Sequence, residues 1–229
     1  MNLTIQPISA AEHLAFIETR RDASFQQTPA WGRVKTEWRS ESIGWYDGPQ
    51  LVGVGLVLHR PVPKLKRYTL AYLPQGPMIE WSDGLSRWLD PLATYLRAKG
   101  AFAIRLGPPV QTHAWTADQI KRGIADPAIT ALTDIPTQLV NPLGCGVVDQ
   151  LEAAGWIPQS PETGFGSGQP QFTYEMPLAG RSEELGICLG QVRRTLALWR
   201  SIRGVGSIIR GRFWSSRSGS RRTRPAWSS

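Results

Sequence analysis

Hydrophobic and polar positions along the chain alternate most clearly in SIGWYDGPQLVGVGLVLHRP, residues 42–61. Two β-rich runs there flank Asp47-Gly48, a dipeptide that supplies the positive φ of a tight hairpin turn, so two antiparallel strands are expected. KRYTLAYLP (66–74) reads as a third strand of the same sheet, closed by the breaker PQGP (74–77). Upstream, LTIQPIS (3–9) alternates as a strand, and AAEHLAFIETRR (10–21) follows as a helix. Ser9 is its N-cap, and Leu14, Phe16 and Ile17 form its apolar side. Thr28 caps a second helix with Pro29 at its first position, running through Trp31 and Val34 to about Trp38. Asp90-Pro91 opens a third helix with Leu92, Tyr95 and Leu96 on one side and Gly100 at its end. AFAIRLGPP (101–109) is apolar enough for a buried strand. VVDQLEAAGW (147–156) reads as a helix and PQFTYEMPL (170–178) as a strand. Strands alternating with helices after an early hairpin predict an α/β fold, a mixed sheet flanked by helices. No internal repeat is found.

Composition leaves that picture intact for most of the chain and breaks it at the end. At 229 residues and 41% hydrophobic, the protein suits one large domain or two small ones with a real core. Its net charge of +8 suggests a nucleic-acid binder until it is located. Residues 1–190 hold 16 Lys and Arg against 18 Asp and Glu, a net of −2, while residues 191–229 hold ten Arg and no acid. We therefore expect a folded body over 1–190 and a disordered or irregular Arg/Ser/Trp-rich tail over 191–229. The tail's bias is that of a high-GC coding region read out of frame. The alternatives are an arm for RNA or anionic lipid and an unselected end. No run of about 18 apolar residues predicts a membrane span, and the N-terminus carries no secretion signal. Cys145 and Cys188 lack CxxC spacing, which suits free thiols in a cytoplasmic protein.

Most chemical motifs are missing. GVGLVL (53–58) lies inside a strand instead of opening a helix, and GFGSGQP (164–170) precedes no helix with a lysine, so neither is a phosphate loop. His13, His59 and His113 are far apart and in no ligand spacing; no metal or cofactor is expected. No GxSxG elbow is present, and Cys145 reads better as a small buried thiol than as a nucleophile. The R/Q-x-x-G-x-G/A loop of an acetyl-CoA enzyme is also missing. Lys35 is the exception. It follows Trp31 by four positions, so both project from nearly the same helix face, with Trp31 and Trp38 expected to anchor that face on the sheet. The alternative is a lysine whose stem covers apolar surface while its ammonium stays in water.

FQQTPAWGRVK (25–35), GWYDGPQLVGVGLVLHRPVP (44–63), RYTLAYLPQGPMIEW (67–81) and GAFAIRLGPP (100–109) together resemble the Fem family over roughly residues 20–180. The resemblance implies a GNAT-like subdomain, the first half of a Fem-type double-GNAT fold. It implies aminoacyl-tRNA-dependent transfer of an amino acid to the stem-peptide amine of a peptidoglycan precursor, which builds interpeptide bridges. The implied partners are that precursor, lipid-linked or nucleotide-linked, and aminoacyl-tRNA. Peripheral contact with the inner face of the membrane and self-association are further expectations. Lys35 matches the lysine that ends the family's Q-T-x-x-W-G-x-x-K block and helps hold the anionic nucleotide or diphosphate. Tyr72, in AYLPQGP, matches a tyrosine near the same cleft; a core tyrosine with a satisfied hydroxyl is the alternative. No catalytic residue is assigned. Family members continue into a helix rich in Lys and Arg where this chain has EELGICLGQVRRTLALWR (183–200). The expectation is thus a truncated or frame-shifted member with weak or no transferase activity, or else a non-catalytic binding or regulatory module built on a degenerate GNAT-like half.

Overall fold

The hairpin around Asp47-Gly48 forms as its residues dictate. Strand β2 (Arg39–Asp47) pairs antiparallel with β3 (Gln50–Val62), and Gly48 at the turn has φ +57°. β1 (Thr4–Pro7) adds to the outer side of β2, and β4 (Leu65–Leu73) to the other side of β3. The computed structural model describes residues 3–137, 139–158, 172–173 and 214–217. Helix α3 (Ser86–Ala98) then carries the chain over the sheet to β5 (Ala101–Leu106), which runs parallel to β4. The short strands β8 (Ile157–Pro158) and β9 (Trp214–Arg217) complete the order β1-β2-β3-β4-β5-β9-β8. β9 lies within the 191–229 tail, and its backbone pairs antiparallel with β5 and β8. The mixed sheet flanked by helices is the architecture expected from the sequence.

Side chains alternate across the sheet, and each face has its own cover. Ile43, Trp45, Val57, Ala71, Leu73, Ile104 and Leu106 face α3 and helix α5 (Pro142–Ala153) in the main core, against Trp88, Leu89, Leu92, Leu96, Val147 and Leu151. Trp45 fixes the depth of this packing by donating Nε1–H to the Trp88 carbonyl at 2.9 Å. The opposite face is covered by α1 (Ala10–Glu18) and α2 (Pro29–Val34). There Ile17, Val54 and Met78 form a second, smaller core.

Several boundaries differ from the sequence expectation, each through tertiary contact. Asp90 does not cap α3; the helix begins a turn earlier at Ser86 and takes Pro91 into its interior. Starting earlier buries Trp88 and Leu89 beside Leu92 and Leu96. Gln150 of α5 also accepts hydrogen bonds from the Gly84 and Leu85 amides at 3.0 and 3.3 Å, holding the entry from a distance. The missing N–H of Pro91 falls opposite the carbonyl of exposed Arg87, where water can replace it. α5 starts at Pro142, ahead of the apolar stretch, because Asn141 caps it by accepting from the Leu143 amide at 3.1 Å. α2 stops at Val34, not Trp38, because the chain must turn at Lys35 to enter β2. A further helix, α4 (Ala117–Ala125), and the strand pair β6 (His113–Ala114) and β7 (Leu139–Val140) form in a region without an assigned pattern. The strand expected over 170–178 lies outside the described residues apart from Phe172 and Thr173, as does Cys188. Cys145 is a free thiol in the first turns of α5, half-buried rather than buried.

His13 ties α1 to the sheet. It is fully buried, and its Nδ1 shares a hydrogen bond of 2.8 Å with Ser42 Oγ. Its Nε2 has no hydrogen-bond partner among the described residues. Burial, opposed by the nearby Gln27 backbone, pushes its pKa down to about 4. The unfolded chain therefore takes up a proton below the ordinary value of 6.5 that the folded chain resists until about 4. Stability is full above that range and falls as pH drops through it, by about 2 kcal/mol at about pH 5. Urea unfolding at about pH 7 and pH 5 should show this loss in the parent protein and not in His13→Leu. An equal loss in both would remove His13 from the account.

Candidate functional site

The face under α1 and α2 carries the residues with exposed chemistry. A short 3-10 turn at Phe25–Gln27 leads into α2, whose cap Thr28 accepts from the Trp31 amide at 3.3 Å. α2 lies close to the sheet because it presents Gly32: a Cβ there would stand 2.6 Å from Ser40 Oγ and 2.8 Å from Ser40 Cβ. Gln27 is the second fastener. Fully buried, it accepts from the Leu56 amide at 2.9 Å and donates Nε2–H to the Pro74 carbonyl. The expected anchors, Trp31 and Trp38, are both only half-buried. Gly32 lets the helix come close and Gln27 fastens it by hydrogen bonds, while both tryptophans keep part of their surface in solvent.

Lys35 sits where α2 ends. Its ammonium lies 5.0 Å from the centre of the Trp31 ring, as the four-residue spacing requires. Its carbonyl accepts from the Trp38 amide at 2.9 Å, which folds the chain back so that Trp38 reaches the sheet. The Trp38 ring is 6.0 Å from that of Tyr72 on β4, centre to centre. Lys35 and Tyr72, far apart in sequence, both meet Trp38: Lys35 through its backbone carbonyl and Tyr72 through its ring. Tyr72 is half-buried on the α2 face, outside the main core, opposite Leu58 of β3 and Arg105 of β5.

Two cations that the sequence reading passed over join this surface. The Arg60 guanidinium lies 5.6 Å from the Trp38 ring centre. Arg105 neighbours Tyr72 across the parallel β4–β5 register. Burial lowers the Arg105 pKa, and the charge that Tyr72 can carry opposes the shift. A guanidinium interrupting the apolar run AFAIRLG was the available signal, because a buried strand gains nothing from a charge on a dry face. Lys35, Arg60 and Arg105 with Trp31, Trp38 and Tyr72 can bind an anion flanked by flat or apolar groups. The Trp31 and Trp38 rings hold Lys35 and Arg60 in place, which reduces the freedom lost on binding.

The far face holds the other titratable cluster. Glu41 accepts from His59 Nε2 at 2.8 Å and from Lys99 Nζ at 2.6 Å, and Tyr95 donates to it at 3.3 Å. Thr69 Oγ1 lies 3.3 Å from His59 Nδ1. The order Thr, His, Glu is that of a catalytic triad, but Thr69 and His59 are both buried and no substrate could reach the hydroxyl. The cluster fastens the end of α3 to β2, β3 and β4. His113 is exposed and stacks on Trp115 at 6.1 Å. Among the described residues, no group of three or more His, Cys, Asp or Glu could hold a metal ion. No described helix is long and apolar enough to cross a membrane.

A model of the FemAB family matches residues 8–195. The chain belongs to the FemAB family. Its fold is that of FemX: 86% of this chain superposes on 44% of the FemX crystal structure with a TM-score of 0.56 and 23% sequence identity. Two curated relatives are the lipid II:glycine glycyltransferases of Staphylococcus haemolyticus and Staphylococcus saprophyticus. Each is 30% identical over 115 residues, 48% of this chain and 26% of the relative. This FemAB chain thus matches about a quarter of the length of those enzymes. The matched family region runs unbroken from α2 through β5, and so includes Trp31, Lys35, Trp38, Arg60, Tyr72 and Arg105.

Proposed function

We propose that this FemAB protein binds the anionic carrier portion of a peptidoglycan precursor on the surface formed by Lys35, Trp38 and Tyr72, as a step in building interpeptide bridges. The observation that carries this reading is Trp38, bonded through its backbone to Lys35, with its ring set against Tyr72 and Arg60, and Arg105 beside Tyr72 in the sheet. Three cations on one face of a body with a net charge of −2 suit a diphosphate. Lys35 acts as a point charge toward a phosphate oxygen, and Arg105 has the fork geometry for two oxygens at once. Tyr72 and Trp38 offer flat surface to the sugar or other group attached to the diphosphate. The reaction served is transfer of an amino acid from aminoacyl-tRNA to the stem-peptide amine. The ester of a charged tRNA is already activated, so the protein's task is to orient the amine, remove its proton and stabilise the oxyanion. The relatives named for lipid II and glycine support the reaction class.

Calorimetry with a nucleotide-linked muropeptide tests the binding step. Lys35→Ala should weaken binding about tenfold, the value of one charge-assisted hydrogen bond at a partly exposed site. Arg105→Lys should also weaken it, because lysine keeps the charge and loses the fork. Equal affinity for the parent and Lys35→Ala would remove this surface from the function. Transfer from charged tRNA to lipid-linked precursor, measured with the same proteins, tests the reaction.

A further inference from the structure

Of the large hydrophobic side chains on the described surface, Phe25 and Val34 are the most exposed, each at 65%. Both lie beside Trp31. The Phe25 ring meets the Trp31 ring edge-on at 5.3 Å, and Val34 follows Trp31 by three positions on the same helix. Lys35 packs its ammonium against the same indole. Trp31 is therefore the hub of a small apolar patch with a cation at its border. Arg33 is exposed on the same helix, and α2 contains no acidic residue. Residues 20–39 hold five cations, Arg20, Arg21, Arg33, Lys35 and Arg39, against Asp22 and Glu37, a net of +3. The remainder of the 1–190 body is consequently acidic, so the segment that carries the patch is the net-positive one, with Lys35 against Trp31 and Arg33 exposed on the same helix.

We propose that this patch docks α2 onto an anionic lipid bilayer, with Phe25 and Val34 entering the headgroup–acyl boundary and Arg33 and Lys35 at headgroup level. Protruding apolar side chains ringed by cations suit that occupant: the apolar groups gain by leaving water and the cations by meeting lipid phosphates. A second copy of this chain fits less well, because a self-complementary contact would place two positive patches face to face. Docking sets the Lys35 ammonium at the depth of a lipid-linked diphosphate. That last step rests on the proposed function; the docking does not.

The experiment must see this patch separately from the ten arginines of residues 191–229, which can bind anionic vesicles themselves. In full-length protein carrying Cys145→Ser and Cys188→Ser, an environment-sensitive fluorophore is placed through Val34→Cys or, as the control on the opposite face, Arg97→Cys of α3. Vesicles of phosphatidylglycerol and phosphatidylcholine should blue-shift the probe at position 34 and shield it from acrylamide, leaving the probe at 97 unchanged. Phe25→Ser should abolish the shift, and phosphatidylcholine alone should not produce it. If the probe at 34 stays as quenchable as that at 97 on vesicles that retain the protein, the proposal is overturned. Shielding that grows with protein concentration without vesicles would also overturn it and assign the patch to a second copy. Lys35→Ala calorimetry uses the soluble nucleotide-linked precursor and no lipid, so failure of the binding reading is seen apart from failure of docking.

Discussion

Gln27→Ala is expected to destabilise the protein by about 3–4 kcal/mol, although position 27 lies in a short turn outside the main core. β4 pairs with β3 only from Leu58 onward, which leaves the Leu56 amide without a strand partner on that side. The Gln27 side-chain oxygen takes that amide, and its Nε2–H goes to the Pro74 carbonyl just past the end of β4. One side-chain amide thus stands in for a missing peptide of the ladder. Alanine would leave two buried backbone groups unpaired, each costing about 1–3 kcal/mol, and a small void besides. Gln27→Met fills the void without the hydrogen bonds and should recover less than half of the loss. The complementary change is at Gly76, where a Cβ would come 2.4 Å from Gln27 Cδ. Urea midpoints with unchanged m-values, together with faster exchange of the Leu56 amide, would be the signature. A loss below about 1 kcal/mol would show that water replaces the side chain without difficulty.

The second large effect is at Glu41, where alanine should cost about 3 kcal/mol near neutral pH. Burial works against ionisation of this carboxyl, yet the hydrogen bonds from His59 and Lys99 outweigh it and hold the pKa at about 2. Without it, Lys99 can turn toward water, but His59 has no exposed surface and loses the acceptor for its Nε2–H. Removing one partner of a buried polar cluster costs more than the cluster contributes net, because the other partner stays desolvated. The sign of the pH dependence follows. A carboxyl held below its ordinary value of 4.5 stabilises fully above that value and loses its contribution as pH falls toward about 2. The stability curves of the parent and Glu41→Ala should therefore separate above about pH 4.5 and converge near about pH 2. Parallel curves across that range would mean that the carboxylate is not what holds α3 to the sheet.

Legibility in the sequence followed the range of the interaction. The hairpin was readable because Asp47-Gly48 and the flanking alternation are local. The Ser9 cap was readable for the same reason, and in the structure it forms a complete capping box with Glu12. Lys35 beside Trp31 was legible as helical spacing. Gln27 and Gly32 stood in a quoted block, but their work is done against Leu56, Pro74 and Ser40, which no spacing along the chain reveals. Arg60 and Arg105 announced themselves only as charges within strands, and their meeting with Trp38 and Tyr72 needed the sheet.

By itself the sequence determined the strands β1 to β5, the helices α1, α2, α3 and α5 and their order, the family resemblance, and the separation of a near-neutral body from a basic tail. These follow from backbone preference, side-chain periodicity and charge, which act over a few residues. Tertiary structure alone decided where α3 begins, with Gln150 holding its start from another helix. It also decided which tryptophans are exposed and which distant residues share a face. Those outcomes depend on groups far apart in the chain competing for the same buried volume and the same hydrogen-bond partners, and that competition is resolved only when the sheet and helices close on one another.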